Sequence, residues 1–261
     1  MLTKLLLAFG LLLSSQQQVF AGQTYAVVVG ISDYEALSYA TGDLRFADRD
    51  ARQFAAFLQS KSGGSVPAAN IRLLTNRQAT QAAILQQLNV FRQATEADRI
   101  ILYFSGHGMP DSFVPYDVVP GNPAGLLTYR DIKAAFYQSS ATTKLCIADA
   151  CLSGGMSRKG VTQRNSGQIV TQNTADRSNV AMILASRSTQ SAVEDGRLGG
   201  GAFTYFLLRG LSGQADLNGN GIVTIKELHQ YISPQLKKRT QGRQTPMFYG
   251  RFSDNLPLAY H

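Results

Sequence analysis

Two residues of this chain have the type and setting that nucleophilic chemistry requires. Cys151 stands where the run KLCIADA (144–150) gives way to Leu152-Ser153-Gly154-Gly155. His107 stands where RIILYFS (99–105) gives way to Gly106-His107-Gly108. A thiol is weakly nucleophilic until ionised, and a nearby imidazole takes its proton or stabilises the thiolate. Of the three histidines, His229 falls within a predicted helix and His261 is the last residue, so His107 is the one candidate base. Its flanking glycines admit a close backbone approach and offer unhindered N–H groups. Acyl transfer also needs donors for the developing oxyanion, and the N–H groups of Gly108 and Cys151 are the candidates. On the residues alone, a buried structural cysteine and a histidine that merely ends a strand remain the alternative.

The elements that must position these groups alternate along the chain. TYAVVVGI (24–31) reads as a strand covered on both faces, and IRLLT (71–75), RIILYFS (99–105), KLCIA (144–148) and VAMILAS (180–186) read as further strands. Helical spacing marks 43–60, 80–94, a segment near 128–138, GAFTYFLLRGL (201–211) and IKELHQYISPQL (225–236). The alternation predicts an α/β fold with a mainly parallel central sheet and helices on both faces. In such sheets ligands sit beyond the carboxyl ends of the strands, where both His107 and Cys151 stand. The polar stretch 154–179, directly after Cys151, is long for a compact domain and is predicted to be functional or disordered. The second thiol, Cys146, lies mid-strand. Residues five apart on a strand are about 16 Å apart, whereas bridged Cα atoms lie within about 7 Å, so a Cys146–Cys151 disulfide is not expected. Cys146 reads as a small core residue.

An apolar content of 44% supports a real core, and a charged fraction of 16% excludes a disordered or coiled-coil chain. The net charge of +8 is spread over the sequence, with KKR at 237–239 its one cluster and no nucleic-acid motif beside it. A solvated basic surface is expected, not nucleic-acid binding. Residues 1–21 read as a signal peptide: Lys4, the apolar run Leu5–Leu13, then Val19-Phe20-Ala21 before Gly22. An exported protein with one domain over 22–261 is expected. No segment approaches the roughly 20 apolar residues of a membrane span. Nothing in the sequence sets an oligomeric state.

YFSGHG (103–108) with DACLSGG (149–155) resembles the caspase-like cysteine peptidases, most nearly the bacterial metacaspase type. The separation of 44 residues between His107 and Cys151 is near the caspase spacing of about 50. YAVVVGISDY, DARQFAAFL (50–58), Ala185-Ser186 and GAFTYFLLRGL extend the likeness over roughly residues 24–236. Legumain-like and gingipain-like peptidases share the same His/Cys logic. The resemblance implies a caspase-like fold, His107 as general base, Cys151 as nucleophile and polypeptide substrates. It also implies a cut in the linker after the nucleophile, where Arg158, Lys159, Arg164 and Arg177 offer basic sites.

Asp149 lies two residues before Cys151, so on a strand both side chains share a face. In metacaspase-like enzymes the matching Asp lines the S1 pocket and pairs with Arg or Lys. The resemblance makes Asp50 a second acidic contributor and Glu194 a third. On the residues alone, Asp149 as a turn cap and Asp50 as a helix-start residue stay open. Separately, DLNGNGIVTIKE (216–227) has the spacing of an EF-hand loop, with Asp216, Asn218, Asn220, the Ile222 carbonyl and Glu227 as Ca2+ ligands. A Gly/Asn-rich connector without an ion is the alternative. The expectation is an exported cysteine endopeptidase cutting after Arg or Lys. Its rival is a catalytically silent caspase-fold module that binds partners through calcium.

Overall fold

The computed structural model describes residues 22–38, 40, 42–109, 111–150, 170–171 (backbone only), 180–185 and 194–261. Residues 1–21, read above as a signal peptide, Cys151, Ser186 and most of the 154–179 stretch lie outside the described residues. The main-chain order begins with β1 (Thr24–Gly30), α1 (Ala47–Gln59), β2 (Ile71–Thr75), α2 (Gln81–Leu88) and β3 (Arg99–Gly106). A small sheet follows, of β4 (Gly108–Met109), β5 (Ser112–Phe113) and β6 (Leu127–Thr128), leading into α3 (Tyr129–Tyr137) and β7 (Thr143–Ala150). Next come β8 (Val170–Thr171), β9 (Val180–Leu184), the short pair β10 (Glu194–Asp195) and β11 (Gly200–Gly201), and α4 (Ala202–Arg209). The chain continues through β12 (Ile222–Thr224), α5 (Ile225–Arg239), β13 (Met247–Gly250) and β14 (Pro257–Tyr260).

Seven strands form the central sheet in the order β2-β1-β3-β7-β9-β13-β8. Its core, β2-β1-β3-β7-β9, is parallel, while β13 runs antiparallel to β9. The expected α/β architecture is therefore present, as a mixed sheet with a parallel centre. Strand parity sorts the apolar runs onto two faces. Val28, Ile101, Tyr103, Leu145 and Ile147 pack under α1, α4 and α5. Val29, Leu102, Phe104, Cys146 and Ala148 pack under α2 and α3 on the other side. Cys146 is a free, fully buried thiol in that second core.

Local details differ from the sequence reading. The predicted helix 80–94 stops at Leu88 and tightens into 3-10 turns over Asn89–Gln93. α4 ends at Arg209 and widens over Gly210–Gln214, where Gly213 has φ +113° and a Cβ would meet the His261 ring at 3.0 Å. β13 and β14 are four residues each, too short to show a period.

Candidate active site

The register of the parallel centre sets the site. β3 and β7 pair from Arg99↔Thr143 to Gly106↔Ala150, so His107 follows a residue paired with the one that precedes Cys151. Cys151 itself is outside the described residues; Ala150, one peptide bond before it, is fully buried. His107 is held at three points. Its N–H donates to the Tyr34 hydroxyl (2.7 Å), its carbonyl accepts from Val114 N–H (3.0 Å), and ring Nε2 meets the Gly42 carbonyl at 2.5 Å. A carbonyl only accepts, so Nε2 carries the proton, and the neutral ring keeps its lone pair on Nδ1. The side chain is half-buried, open enough for a substrate. Gly106 must lack a side chain, because a Cβ there would lie 2.8 Å from the Tyr34 oxygen.

Gly108 pairs with Phe113 in the β4–β5 hairpin. The neighbouring hydrogen-bonded pair is His107–Val114, so Gly108 occupies a non-hydrogen-bonded position and its N–H points away from β5. That N–H is therefore not used by the β4–β5 ladder and adjoins His107 in the chain.

Asp149 and Asp50 come together under the same strand ends. Asp149 sits opposite Ser105 on β7, on the face shared with Leu145 and Ile147, and therefore looks toward α1 and α4. Asp50 belongs to the buried stripe of α1, with Ala47, Ala51, Phe54 and Leu58. Both carboxylates are almost fully buried, at 4% and 1% exposure. Asp149 Oδ2 accepts from Thr204 N–H (3.1 Å) and Thr204 Oγ1 (2.8 Å). Asp50 Oδ2 accepts from Gly201 N–H (2.9 Å) and, more weakly, from Ser105 Oγ (3.4 Å). Asp50 Oδ1 is buried with no hydrogen-bond partner. Gly201 separates the two acids: a Cβ there would collide with Asp149 Oδ2 and come within 2.9 Å of Asp50 Oδ2.

Burial pushes both carboxyl groups up, and Asp50 is raised further by the Asp149 charge, against the Gly201 bond that lowers it. Among the described residues no cationic side chain pairs with either acid. A buried charge without a partner is expensive, so burial favours the protonated form of both acids.

Glu194 has a different immediate task. Its carboxylate accepts from Arg45 N–H (2.9 Å) and Phe46 N–H (2.8 Å), capping α1, whose own N-cap residue supplies no side-chain bond. Its charge still reaches Asp50 and Asp149 and contributes to their upward shifts.

The 216–227 loop stands apart from this cluster. Asp216 accepts from the N–H groups of Gly219, Asn220 and Gly221, and Asn220 Oδ1 accepts from Ile222 N–H. Asn218 Nδ2 donates to Glu227 Oε1 at 2.7 Å, so the third and twelfth loop positions already face each other. Glu227 Oε2 closes a capping box with Thr224 at the start of α5. Every candidate ligand is an oxygen, which fits a hard cation such as Ca2+. Binding would require the Asn218 amide to turn its oxygen inward and Glu227 to exchange its loop bonds for the ion.

Sequence reasoning missed Tyr34, Gly42, Ser105, Gly201 and Thr204. The Gly199-Gly200-Gly201 run before an apolar helix was the one visible signal, since consecutive glycines often mark a close approach.

The family model described as "Caspase domain", a peptidase family, matches residues 23–257. A probable protease of a Desulfuromonadales bacterium is 29% identical over 152 residues, covering 49% of this chain and 18% of that protein. The chain thus matches less than a fifth of that relative's length. The crystal structure of protein GSU0716 from Geobacter sulfurreducens has a similar fold, with a TM-score of 0.61 at 17% identity over 90% of this chain and 97% of that one. With the caspase-domain model spanning nearly the whole described chain, this protein belongs to the caspase-domain peptidases.

Proposed function

We propose that this protein is a cysteine endopeptidase that cuts after Arg or Lys, with His107 as general base and Cys151 as nucleophile. The observation that carries the reading is the buried Asp50/Asp149 pair, with no cationic partner among the described residues, beneath the strand end that bears His107. The P1 guanidinium or ammonium enters between these carboxylates and supplies the missing positive charge. His107 Nδ1 takes the Cys151 proton, and the thiolate attacks the scissile carbonyl carbon, forming a C–S bond. The oxyanion is held by the N–H groups of Gly108 and Cys151. Nδ1 then gives its proton to the leaving amine as the C–N bond breaks, leaving a thioester. Water attacks the thioester, its proton passing to Nδ1, and the acid and free thiol are restored. The Gly42 carbonyl holds Nε2–H throughout and stabilises the imidazolium.

A peptidyl chloromethyl ketone with Arg at P1 tests both halves of this reading. Its expected product is a single adduct, located on Cys151 by peptide mass spectrometry, while the matched Asp reagent leaves the protein unmodified. An adduct on Cys146 alone, or equal labelling by both reagents, would overturn the assignment.

The same reading gives the 216–227 loop a Ca2+ ion and residues 1–21 an export role. With only Asp216 and Glu227 as carboxylates, affinity is expected in the weaker part of the EF-hand range. Calorimetry should show heat of binding at millimolar calcium, and Glu227→Gln should weaken it at least tenfold by removing the bidentate ligand. No heat for the wild type would leave the loop a turn.

Self-processing belongs to the proposal as well. Arg158, Lys159, Arg164 and Arg177 lie in the linker after Cys151 and match the basic P1 preference. Purified wild-type protein should slowly form two fragments, the new N-terminus directly following one of these residues. Cys151→Ala protein should stay whole; equal cleavage of the two by intact mass would reject self-processing.

A further inference from the structure

We propose that Tyr34 is a positioning residue for catalysis, its phenol oxygen fixing the His107 backbone while Gly42, eight residues on, fixes the imidazole ring. The proposal rests on the reading of His107 as the base. It goes beyond that reading by assigning the alignment of the imidazole to one loop, through its described residues 31–38 and 42–46.

The geometry is direct. The Tyr34 hydroxyl accepts from His107 N–H at 2.7 Å. The two rings pack with centroids 5.1 Å apart at a 36° tilt. Tyr34 is 2% exposed, so it stands behind the histidine and does not reach substrate. Its own backbone is anchored, because its N–H donates to Asp43 Oδ1 (3.0 Å) and Glu35 N–H donates to the Tyr116 carbonyl (3.1 Å). Asp43 in turn follows Gly42, and the N–H groups of Gly42 and Asp43 both bond to the Ser38 carbonyl (2.8 and 2.9 Å). Ser32 and Asp33 tie the loop to Asn76 Oδ1, and Ile31 ties it to the Ser105 carbonyl. Two of the three groups that hold His107, one on its backbone and one on its ring, are therefore tied to each other within this loop.

The histidine needs this support because it follows the last residue of β3 and has no further partner in the parallel ladder. Without an acceptor for its N–H, His107 keeps only its carbonyl bond to Val114 and its ring contact with Gly42, so the Gly106–His107 peptide is held less tightly and the ring can shift. A misplacement of about 1 Å can cost about 100-fold in rate. The phenol stays neutral across the working range. Burial raises its ionisation far above the ordinary tyrosine value, with Asp43 and Glu194 adding to the rise against the opposing bond from His107. Tyr34 is thus a constant acceptor. A glycine at 106 completes the arrangement, since any Cβ there would push the hydroxyl away.

Tyr34→Phe keeps the ring and the packing and removes only the acceptor. At a temperature well below both melting transitions, kcat on an Arg-P1 peptide should fall about 10- to 100-fold with KM within about twofold. The pH profile of Cys151 alkylation by iodoacetamide, which reports the thiolate–imidazolium pair, should shift in the same variant. An unchanged kcat with a lowered Tm would make Tyr34 merely structural, and a raised KM at constant kcat would make it part of substrate binding; either result overturns the proposal. If Tyr34→Phe does not fold, Asp43→Ala loosens the Tyr34 backbone instead and should show the same kcat-led loss, while an unchanged kcat would overturn the proposal again. His107→Ala, assayed in parallel, separates the two claims: an active His107→Ala enzyme defeats the base assignment itself, whatever Tyr34→Phe does.

Discussion

Cys151→Ala and His107→Ala should each lower kcat/KM on an Arg-P1 peptide by at least about 1000-fold, whereas Cys146→Ala should retain most of it. The first two remove the attacking atom and the group that ionises it, and residues that act as one unit fail together. The contrast with Cys146 follows from its place. It is fully buried mid-strand, and burial alone pushes its thiol up to about 12, so it is protonated and out of reach of solvent at every working pH. Its loss should register as a drop in Tm from the small cavity, on the order of 1 kcal/mol. Peptide hydrolysis and thermal melts on the three purified variants decide the matter. Wild-type rates in Cys151→Ala would end the thiol mechanism.

The acid pair carries the second large effect. Asp149→Asn should lower kcat/KM for Arg or Lys at P1 by about 100-fold, chiefly through KM, because a neutral amide cannot balance the buried cation. Asp50→Asn should act in the same direction on activity and in the opposite direction on stability. In the folded protein burial raises both carboxyl groups above their unfolded values, Asp50 further through the Asp149 charge and Asp149 through that of Glu194, so the native state binds protons more tightly. The stabilisation from these protons is fully present below the ordinary Asp ionisation and is lost as pH rises through the raised folded values. Asn at position 50 can still accept from Gly201 N–H and never ionises. Its Tm should therefore exceed that of the wild type at neutral pH, and the gap should close toward pH 4. Activity on arginine peptides should rise over the same interval in which wild-type stability declines, as the carboxylates ionise to receive the substrate. Melting curves and rates from pH 4 to 8 test both signs. A wild type more stable than Asp50→Asn at neutral pH would show that the pair already has an internal cation. Such opposition of stability and function is expected where a pocket is held ready for a charged ligand.

What the sequence made legible, and what it hid, follows from range. Strands β1, β3, β7 and β9 were readable because both faces are covered and their apolar runs are long, whereas the half-buried edge strand β2 was marked by its short apolar cluster. The face of Asp149 was readable because strand parity sets it with Leu145 and Ile147, whereas a role in substrate binding was implied only by the resemblance. Asp50 carried a further signal, a carboxylate on the apolar stripe of an amphipathic helix. The supports of His107 were hidden, since Tyr34 and Gly42 lie 73 and 65 residues before it in the chain. Glu194 caps α1 from 148 residues beyond Phe46, a distance at which no local capping rule applies. Gly201 and Thr204 became meaningful only once the sheet register had set Asp149 beneath the start of α4. Periodicity reaches within an element, whereas these contacts join elements that only the fold brings together.

The most direct measurement is a fluorogenic peptide panel that differs only at P1, carrying Arg, Lys, Asp, Leu or Gln, run on wild type and Asp149→Asn. The account predicts turnover for Arg and Lys at least about 100-fold above the others, and loss of that advantage in the variant. Efficient cleavage after Asp, or an Arg preference that survives the loss of Asp149, would contradict it.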